Sequence, residues 1–199
     1  MSGNADLILA GIAGGGAAGN SLAYFAPPGT ALPLDATTAP IAAFRDAGWI
    51  TEDGLSGQVA EDSNDIPAFG TFAPVRTIVT TSKQTFDISF LETNEVSLSV
   101  YHRKPLTGAG SLDLTEVDGT LDFTTGASAS EKYVACFDLV DGDNHLRAVC
   151  PSVQVTDRGN LEIKSGQPVL YPVTLTAYPD DTGASVYWFY VLDALIVPA

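Results

Sequence analysis

The sequence predicts a mainly β fold: a β-sandwich or partial barrel with one short helix, an extended N-terminal arm and a long inter-strand loop. Three observations carry this. Segments with period-two alternation, such as Phe86, Ile88 and Phe90 on one side and Asp87 and Ser89 on the other, recur along the chain. Turn residues punctuate it at short intervals, with 19 glycines and 12 prolines in 199 residues. About ten short strands at that spacing is the pattern of a sandwich or barrel, and no 20–50-residue repeat is visible. At 45% hydrophobic and 17% charged residues, the chain has the composition of a globular domain. Residues 1–40 read as arm and linker, and residues 41–199 as the β domain.

The N-terminal sixteen residues have no basic n-region and only a short apolar run, so neither a signal peptide nor a transmembrane helix is expected. Leu7-Ile8-Leu9 followed by Gly14, Gly16 and Gly19 imitates a dinucleotide fingerprint, with Asp35 near the distance of a ribose-binding acid. The imitation fails because the glycines do not open a helix. Ser21 and the residues after it read as a short strand entering a turn at Pro27-Pro28-Gly29. A P-loop fails because Asn20 stands at the lysine position. Small-residue packing or a flexible arm accounts for these glycines.

Pro27, Pro28, Pro33 and Pro40 mark an extended linker. Residues 41–47 are expected as one or two helical turns closed by Gly48. Residues 49–51 and 55–60 read as brief strands separated by a turn at Glu52-Asp53-Gly54. Glu61, Asp62 and Asp65 then form an acidic loop whose spacing matches no calcium loop. Residues 75–90 are the clearest strand. Over residues 94–101 the periodicity leaves helix and strand even, since Val96, Leu98 and Val100 also alternate. The ends favour a helix: Thr93 or Asn94 as N-cap, Glu92 and Glu95 near the positive end of the dipole, Arg103 and Lys104 near the negative end, and Pro105 as the stop.

Residues 112–117 and 120–124 alternate around Asp118-Gly119 and read as a hairpin. Residues 132–140 and 145–150 are strands joined by Asp141-Gly142-Asp143-Asn144. Strand character continues over 152–156, returns at 161–164, and is strong over 167–178 and in the aromatic run 185–192. Cys136 and Cys150 flank the 141–144 turn, so a disulfide between them is conceivable, although two buried thiols is the reading preferred.

The formal net charge is −15, from 24 acidic and 9 basic residues. That balance opposes nucleic-acid binding through phosphates and adsorption to an anionic membrane. Neither His102 nor His145 has a metal-ligand partner at the right spacing, and no G-x-S-x-G is present. No catalytic, cofactor or metal site is read from the residues. A hydrolytic β-fold enzyme would need an acid pair in a cleft.

Several pieces of the chain, in order, carry a family likeness. They are SGNADLI at 2–8, APPGTALPLDATT at 26–38, DAGWITEDGL at 46–55, DIPAFG at 65–70, Val75-Arg76-Thr77, SFLETNE at 89–95, YPVTLTAYPDD at 171–181, and residues 183–190. Together they resemble the major tail tube proteins of long, non-contractile-tailed bacteriophages, those of actinobacterial hosts in particular. Phe69 stands where tryptophan is more usual, Trp188 lies near a position often basic, and the glycine-rich insert at 11–20 departs from the pattern.

The resemblance implies a β-sandwich with one helix on the LETNEVSLSVY run. It also implies self-assembly into stacked, typically hexameric rings whose inner sheets form a continuous barrel around a lumen. The N-terminal arm, a long early inter-strand loop and the C-terminal segment are implied to carry ring-to-ring contacts. Implied partners are other copies of the chain, the tape-measure, tail-tip and tail-terminator proteins, and genomic double-stranded DNA passing without specific binding; no membrane is implied. The setting is the virion, with assembly in the host cytoplasm. Candidate inter-subunit contacts are Trp49, Ile66, Phe69, Phe72, Tyr187 and Trp188. Candidate lumen or inter-ring acids are Glu52, Asp53, Glu61, Asp62 and Asp65. The alternative is a virion β-sandwich binding or decoration module, with Tyr187, Trp188 and Tyr190 lining a site.

Overall fold

A computed structural model describes residues 9, 12–13, 21–112, 120–126 and 130–195. Its strands are β1 (Ile12–Ala13), β2 (Ala23–Ala26), β3 (Arg45–Asp46), β4 (Ile50–Pro67), β5 (Pro74–Phe90), β6 (Lys132–Asp141), β7 (Asn144–Arg158), β8 (Tyr171–Ala177) and β9 (Tyr187–Val191); helix α1 (Glu95–His102) follows β5. All pairings are antiparallel and run in the order β3-β2-β6-β7-β8-β5-β4, with β1 also on β6 and β9 also on β7. The sheet does not close into a barrel. The 15-residue β7 is the pivot. Its first half pairs with β9 at 145–149 and its second half with β8 at 153–158, while β6 lies along its other edge. The sheet therefore folds over itself as a sandwich.

Alternation dictates the main core. Phe86, Ile88 and Phe90 of β5 and Val173, Leu175 and Ala177 of β8 face inward against Phe25, Tyr133, Phe137 and the helix. Phe25 meets Phe90, Tyr133 and Phe137 edge-on, at centroid distances of 5.9, 6.3 and 6.3 Å. The end signals decide the ambiguous 94–101 run: it is helical. Asn94 accepts from the Ser97 backbone N–H at 2.9 Å while Ser97 Oγ accepts from the Asn94 N–H at 3.0 Å, a reciprocal capping box. Arg103 takes a left-handed conformation, φ 55°, and its N–H returns to the last turn. Every residue from Val96 to Tyr101 is buried, so Val96, Leu98 and Val100 are inside whichever period is counted.

The other face of β2, β6 and β7 carries a second core of Tyr24, Ala26, Phe44, Val134, Cys136 and Val149. The proline-marked segment covers it, with Leu32 packed in. Arg147 holds the cover down. This arginine is 1% exposed; its Nε and Nη2 donate to the two Asp138 oxygens at 2.5 and 2.7 Å, and its Nη1 to the Asp35 and Thr38 carbonyls at 2.8 and 2.7 Å. Within the stretch expected as arm and linker, β2 is thus a fully buried strand of the sheet, and Asp35 caps a local turn by accepting from the Thr37 and Thr38 N–H groups.

Several sequence expectations are corrected. Residues 41–47 make one turn, Phe44 N–H to Ile41 C=O at 2.9 Å, and then pair with β2, because Arg45 and Asp46 find a strand edge there. The two brief strands and the acidic loop of 49–65 are one 18-residue strand. The expected turn at Glu52-Asp53-Gly54 is a bulge within it, with Gly54 at φ 69°. The expected long inter-strand loop is mostly ladder, with only residues 68–73 between β4 and β5. Residues 120–126 and 161–164 form no strand: Leu121 and Phe123 pack on the core without a ladder, and 161–164 lie exposed. Cys136 and Cys150 cannot bridge. Their cross-strand partners are Val149 and Ala135, which puts the two sulfurs on opposite faces of the sheet, one in each core. The apolar run at 7–8, the glycines at 14, 16 and 19, and residues 113–119 of the expected hairpin lie outside the described residues.

His102 sits against Tyr101 and Phe123, centroids 5.1 and 4.8 Å away, with Nδ1 buried and unpartnered. Burial first, and then the charges of Arg158 and Lys104, hold its pKa below the usual value. The unfolded chain therefore takes up this proton at higher pH than the folded one. The His102 contribution to stability is complete above about pH 6.5 and is lost as pH falls from there through the lower folded value. Melting temperature is expected to fall between pH 7 and 5, and His102→Phe to flatten that slope. Arg147→Met strands a buried carboxylate; it is expected to cost about 3–5 kcal/mol in urea unfolding.

Candidate functional site

The β4–β5 ladder outruns the body of the protein. Near its base Leu55 and Phe86 belong to the main core, but from Gln58 outward and back to Lys83 every residue on both strands is exposed. At the far end the six residues 68–73 turn the chain. Thr71 makes the turn: its N–H and Oγ donate to the Ala68 carbonyl at 3.3 Å and its Oγ also to the Ala73 carbonyl at 3.0 Å, while Gly70 takes φ 85°. Phe69 and Phe72 flank that turn with relative exposures of 108% and 112%.

The register sorts the projecting residues into two rows. On the row continuous with the core-facing Gly57 and Phe86 stand Val59, Glu61, Ser63 and Asp65, opposite Gln84, Ser82, Val79 and Thr77. Ser82 donates to Glu61 at 3.1 Å and Thr77 to Asp65 at 2.6 Å. On the reverse row stand Ala60, Asp62, Asn64 and Ile66, opposite Lys83, Thr81, Ile78 and Arg76. Thr81 donates to Asp62 at 2.7 Å. The three acids expected together in a loop are thus split between faces. Arg76 and Lys83 form no ion pair among the described residues.

At the base, an apolar groove of about 510 Å³ opens between the β4 bulge and the β6–β7–β9 strands. Trp49, Ile50, Leu55, Phe86, Leu146 and Trp188 line it, with the exposed Glu52 and Asp53 on the β4 side. Trp49 is 62% and Trp188 45% exposed, and Trp188 stacks on Tyr190 at 6.4 Å. Tyr187 is instead a local brace: its hydroxyl donates to Asp180 Oδ2 at 2.6 Å. With Thr182 it holds the Asp180 carboxyl down at about 2.

So Trp49, Trp188, Glu52 and Asp53 gather at the base, Ile66, Phe69 and Phe72 at the tip, and Glu61, Asp62 and Asp65 along the shaft. Sequence reasoning missed Leu146, Phe86 and Arg76, and it missed the solvent face of the sheet. There Ser56, Asp87, Thr174 and Asp157 adjoin in register, with Thr174 donating to Asp87 at 2.5 Å. The signal for that face was the polar half of the 86–90 alternation.

The family model described as phage tail tube protein matches residues 13–197. The chain belongs to the phage tail tube proteins. No curated protein matches it. Tail tube proteins are structural components of the virion tail, where they assemble with one another and with other tail components. Among the described residues of this tail tube protein no three His, Cys, Asp or Glu side chains converge as a metal site, and no helix is long and apolar enough to cross a membrane. Because the shaft has a ladder but no core beneath it, its amides are expected to exchange with solvent much faster in the free monomer than those of β6 and β7, measured by hydrogen–deuterium exchange.

Proposed function

We propose that copies of this tail tube protein join edge to edge into rings of six, and that the rings stack into the conduit for the phage genome. The observation that carries this reading is the free edge of β4. This strand is 18 residues long and, among the described residues, ends the sheet order and pairs with β5 alone. An exposed edge of that length is an aggregation hazard in a monomer and a joining device in a polymer. Adding a neighbour's strand to it continues the sheet around a ring.

In this arrangement the solvent face bearing Asp87, Asp157, Ser56 and Thr174 lines the lumen, together with Asp62 further out; the cations on the same face are Lys83, Arg76 near the tip, and Lys132 beside Gln154. Asp87 and Asp157 are exposed there. A surface of short hydroxyls and carboxylates releases no counterions from DNA, so duplex slides past without sticking. Trp49, Ile66, Phe69, Phe72 and Trp188 serve contacts between copies, while Tyr187 braces its own loop through Asp180, and Glu52, Asp53, Glu61 and Asp65 face neighbouring rings. Tape-measure, tail-tip and tail-terminator proteins set the tube's length and ends, and assembly takes place in the host cytoplasm.

Negative-stain electron microscopy of the purified protein over a concentration series tests this. Hollow tubes of uniform diameter with six-fold end views are expected; a monomer that binds a glycan on its aromatics and never polymerises overturns the reading. In tubes, Asp87→Lys with Asp157→Lys is expected to leave assembly intact but to make the lumen hold double-stranded DNA in a salt-sensitive way, read by DNA retention after nuclease treatment.

A further inference from the structure

We propose that the apolar groove at the base of the β4–β5 hairpin is the socket for Phe69 and Phe72 at the hairpin tip of a second copy. The inference rests on the self-assembly proposed above and deepens it by naming both halves of one contact.

Three observations point to a second copy as the occupant. The first is complementarity within one sequence. The chain displays two wholly exposed phenylalanines on a turn braced by Thr71 and Gly70, and it carries elsewhere an open apolar groove of about 510 Å³. The bonds of Thr71 and the positive φ of Gly70 preset the turn that carries its aromatics, which lowers the entropy cost of seating them. The second is reach. From Gly57 to Pro67 the strand extends roughly 30 Å at about 3.3 Å per residue, so a tip cannot fold back into the groove at its own base. The third is charge. Arg76 lies beside the tip, opposite Ile66, and has no ion-pair partner among the described residues of a chain with only 9 basic residues. Glu52 and Asp53, both exposed, are part of the groove lining. Seating the phenylalanines brings the unpaired cation toward those carboxylates.

A knob and a socket on separate parts of one molecule make a head-to-tail contact, which propagates instead of closing as a dimer. The length of the shaft then sets the offset between successive copies, and the acids expected as inter-ring residues divide by role. Glu52 and Asp53 take the incoming tip; Glu61, Asp62 and Asp65 brace the shaft through Ser82, Thr81 and Thr77.

Site-directed cross-linking of the full chain tests this. Cys136 and Cys150 are buried, and burial raises the pKa of both thiols, that of Cys150 to about 12, so neither competes with an introduced surface thiol. Phe72→Cys mixed with Trp49→Cys is expected to give a disulfide-linked dimer under mild oxidation, while Phe72→Cys mixed with Ser111→Cys, which is not part of the groove lining, gives none. Phe69→Ala with Phe72→Ala is expected to raise the concentration needed for assembly at least tenfold while leaving the monomer's melting temperature unchanged, since both side chains are solvent-exposed. Arg76→Glu is expected to weaken assembly and Glu52→Arg with Asp53→Arg in the same chain to restore it.

Tubes that form normally from the double alanine variant, with no Phe72–Trp49 cross-link, overturn the socket and leave the tube reading standing. A Phe72–Trp49 cross-link without rings or tubes keeps the socket and overturns the ring. A Trp49→Cys cross-link to Ser2→Cys in place of Phe72→Cys assigns the groove to a neighbour's N-terminal segment and overturns the proposal.

Discussion

The two-pronged pair between Arg147 and Asp138 is the constraint on which the rest of the structure depends. Both side chains sit in the middle of the β6–β7 pairing, cross-strand neighbours in register and almost wholly out of water. A guanidinium in such a place is tolerable only if its donors are used. Asp138 takes two of them, and the remaining bonds go to the carbonyls of Asp35 and Thr38. Satisfying the arginine therefore fixes the path of a segment more than a hundred residues earlier in the chain. That segment closes the second core, and the central stretches of β6 and β7, Tyr133 to Asp138 and Arg147 to Cys150, are buried on both faces. Those stretches offer no surface to a partner, which leaves the ends of the strands, the sheet's far edge and whatever projects from it.

What projects is the outer part of the β4–β5 hairpin. Its cohesion comes from the ladder and from hydroxyl–carboxylate pairs between the strands. Such pairs are individually weak in water, and an isolated two-stranded ribbon is marginal. The composition of the shaft makes sense on those terms. Thr77, Thr80, Thr81 and Ser82 favour extended backbone and supply donors, and Glu61, Asp62 and Asp65 accept them. Carboxylates directly across from hydroxyls stabilise the ribbon without an apolar face that would aggregate before assembly.

Much of this was legible in the sequence because local rules and tertiary structure agree. The Asn94 cap, the Arg103–Pro105 stop and the 86–90 alternation each name their element before any packing is considered. So does the two-residue turn at Gly142-Asp143. The failures share one cause, which is that composition was taken for conformation. Glu61, Asp62 and Asp65 read as a loop because acidic residues usually mark loops, yet a ribbon solvated on both faces has no apolar alternation to betray it. Leu121 and Phe123 alternate as a strand does, but their spacing serves packing on His102 and the helix without a ladder. Cys136 and Cys150 flank a turn, which made a bridge conceivable, but the preferred reading of two buried thiols holds. The register, which sequence alone leaves open by one residue, turns them to opposite faces. The reach of the Arg147 network was invisible for a different reason: beyond Asp138 its acceptors are the backbone carbonyls of Asp35 and Thr38, and a carbonyl has no signature in the sequence.

The strong negative charge and the exposed aromatics act against each other, and that opposition shapes how such a chain assembles. At a net charge of −15 two copies repel at long range, which keeps the free protein dispersed even though Phe69, Phe72, Trp49 and Trp188 stand in water. A single contact, whether an edge pairing or a seated tip, has to overcome that repulsion and the lost translational freedom by itself. Several contacts made at once share the same loss, so the second and third come at a higher effective concentration than the first. In the proposed tube, growth on an existing layer, where a new copy would meet an edge and an underlying surface together, would therefore be favoured over pairing in solution. A polymer built on that principle extends readily and starts reluctantly, which is the behaviour a structure of controlled length requires.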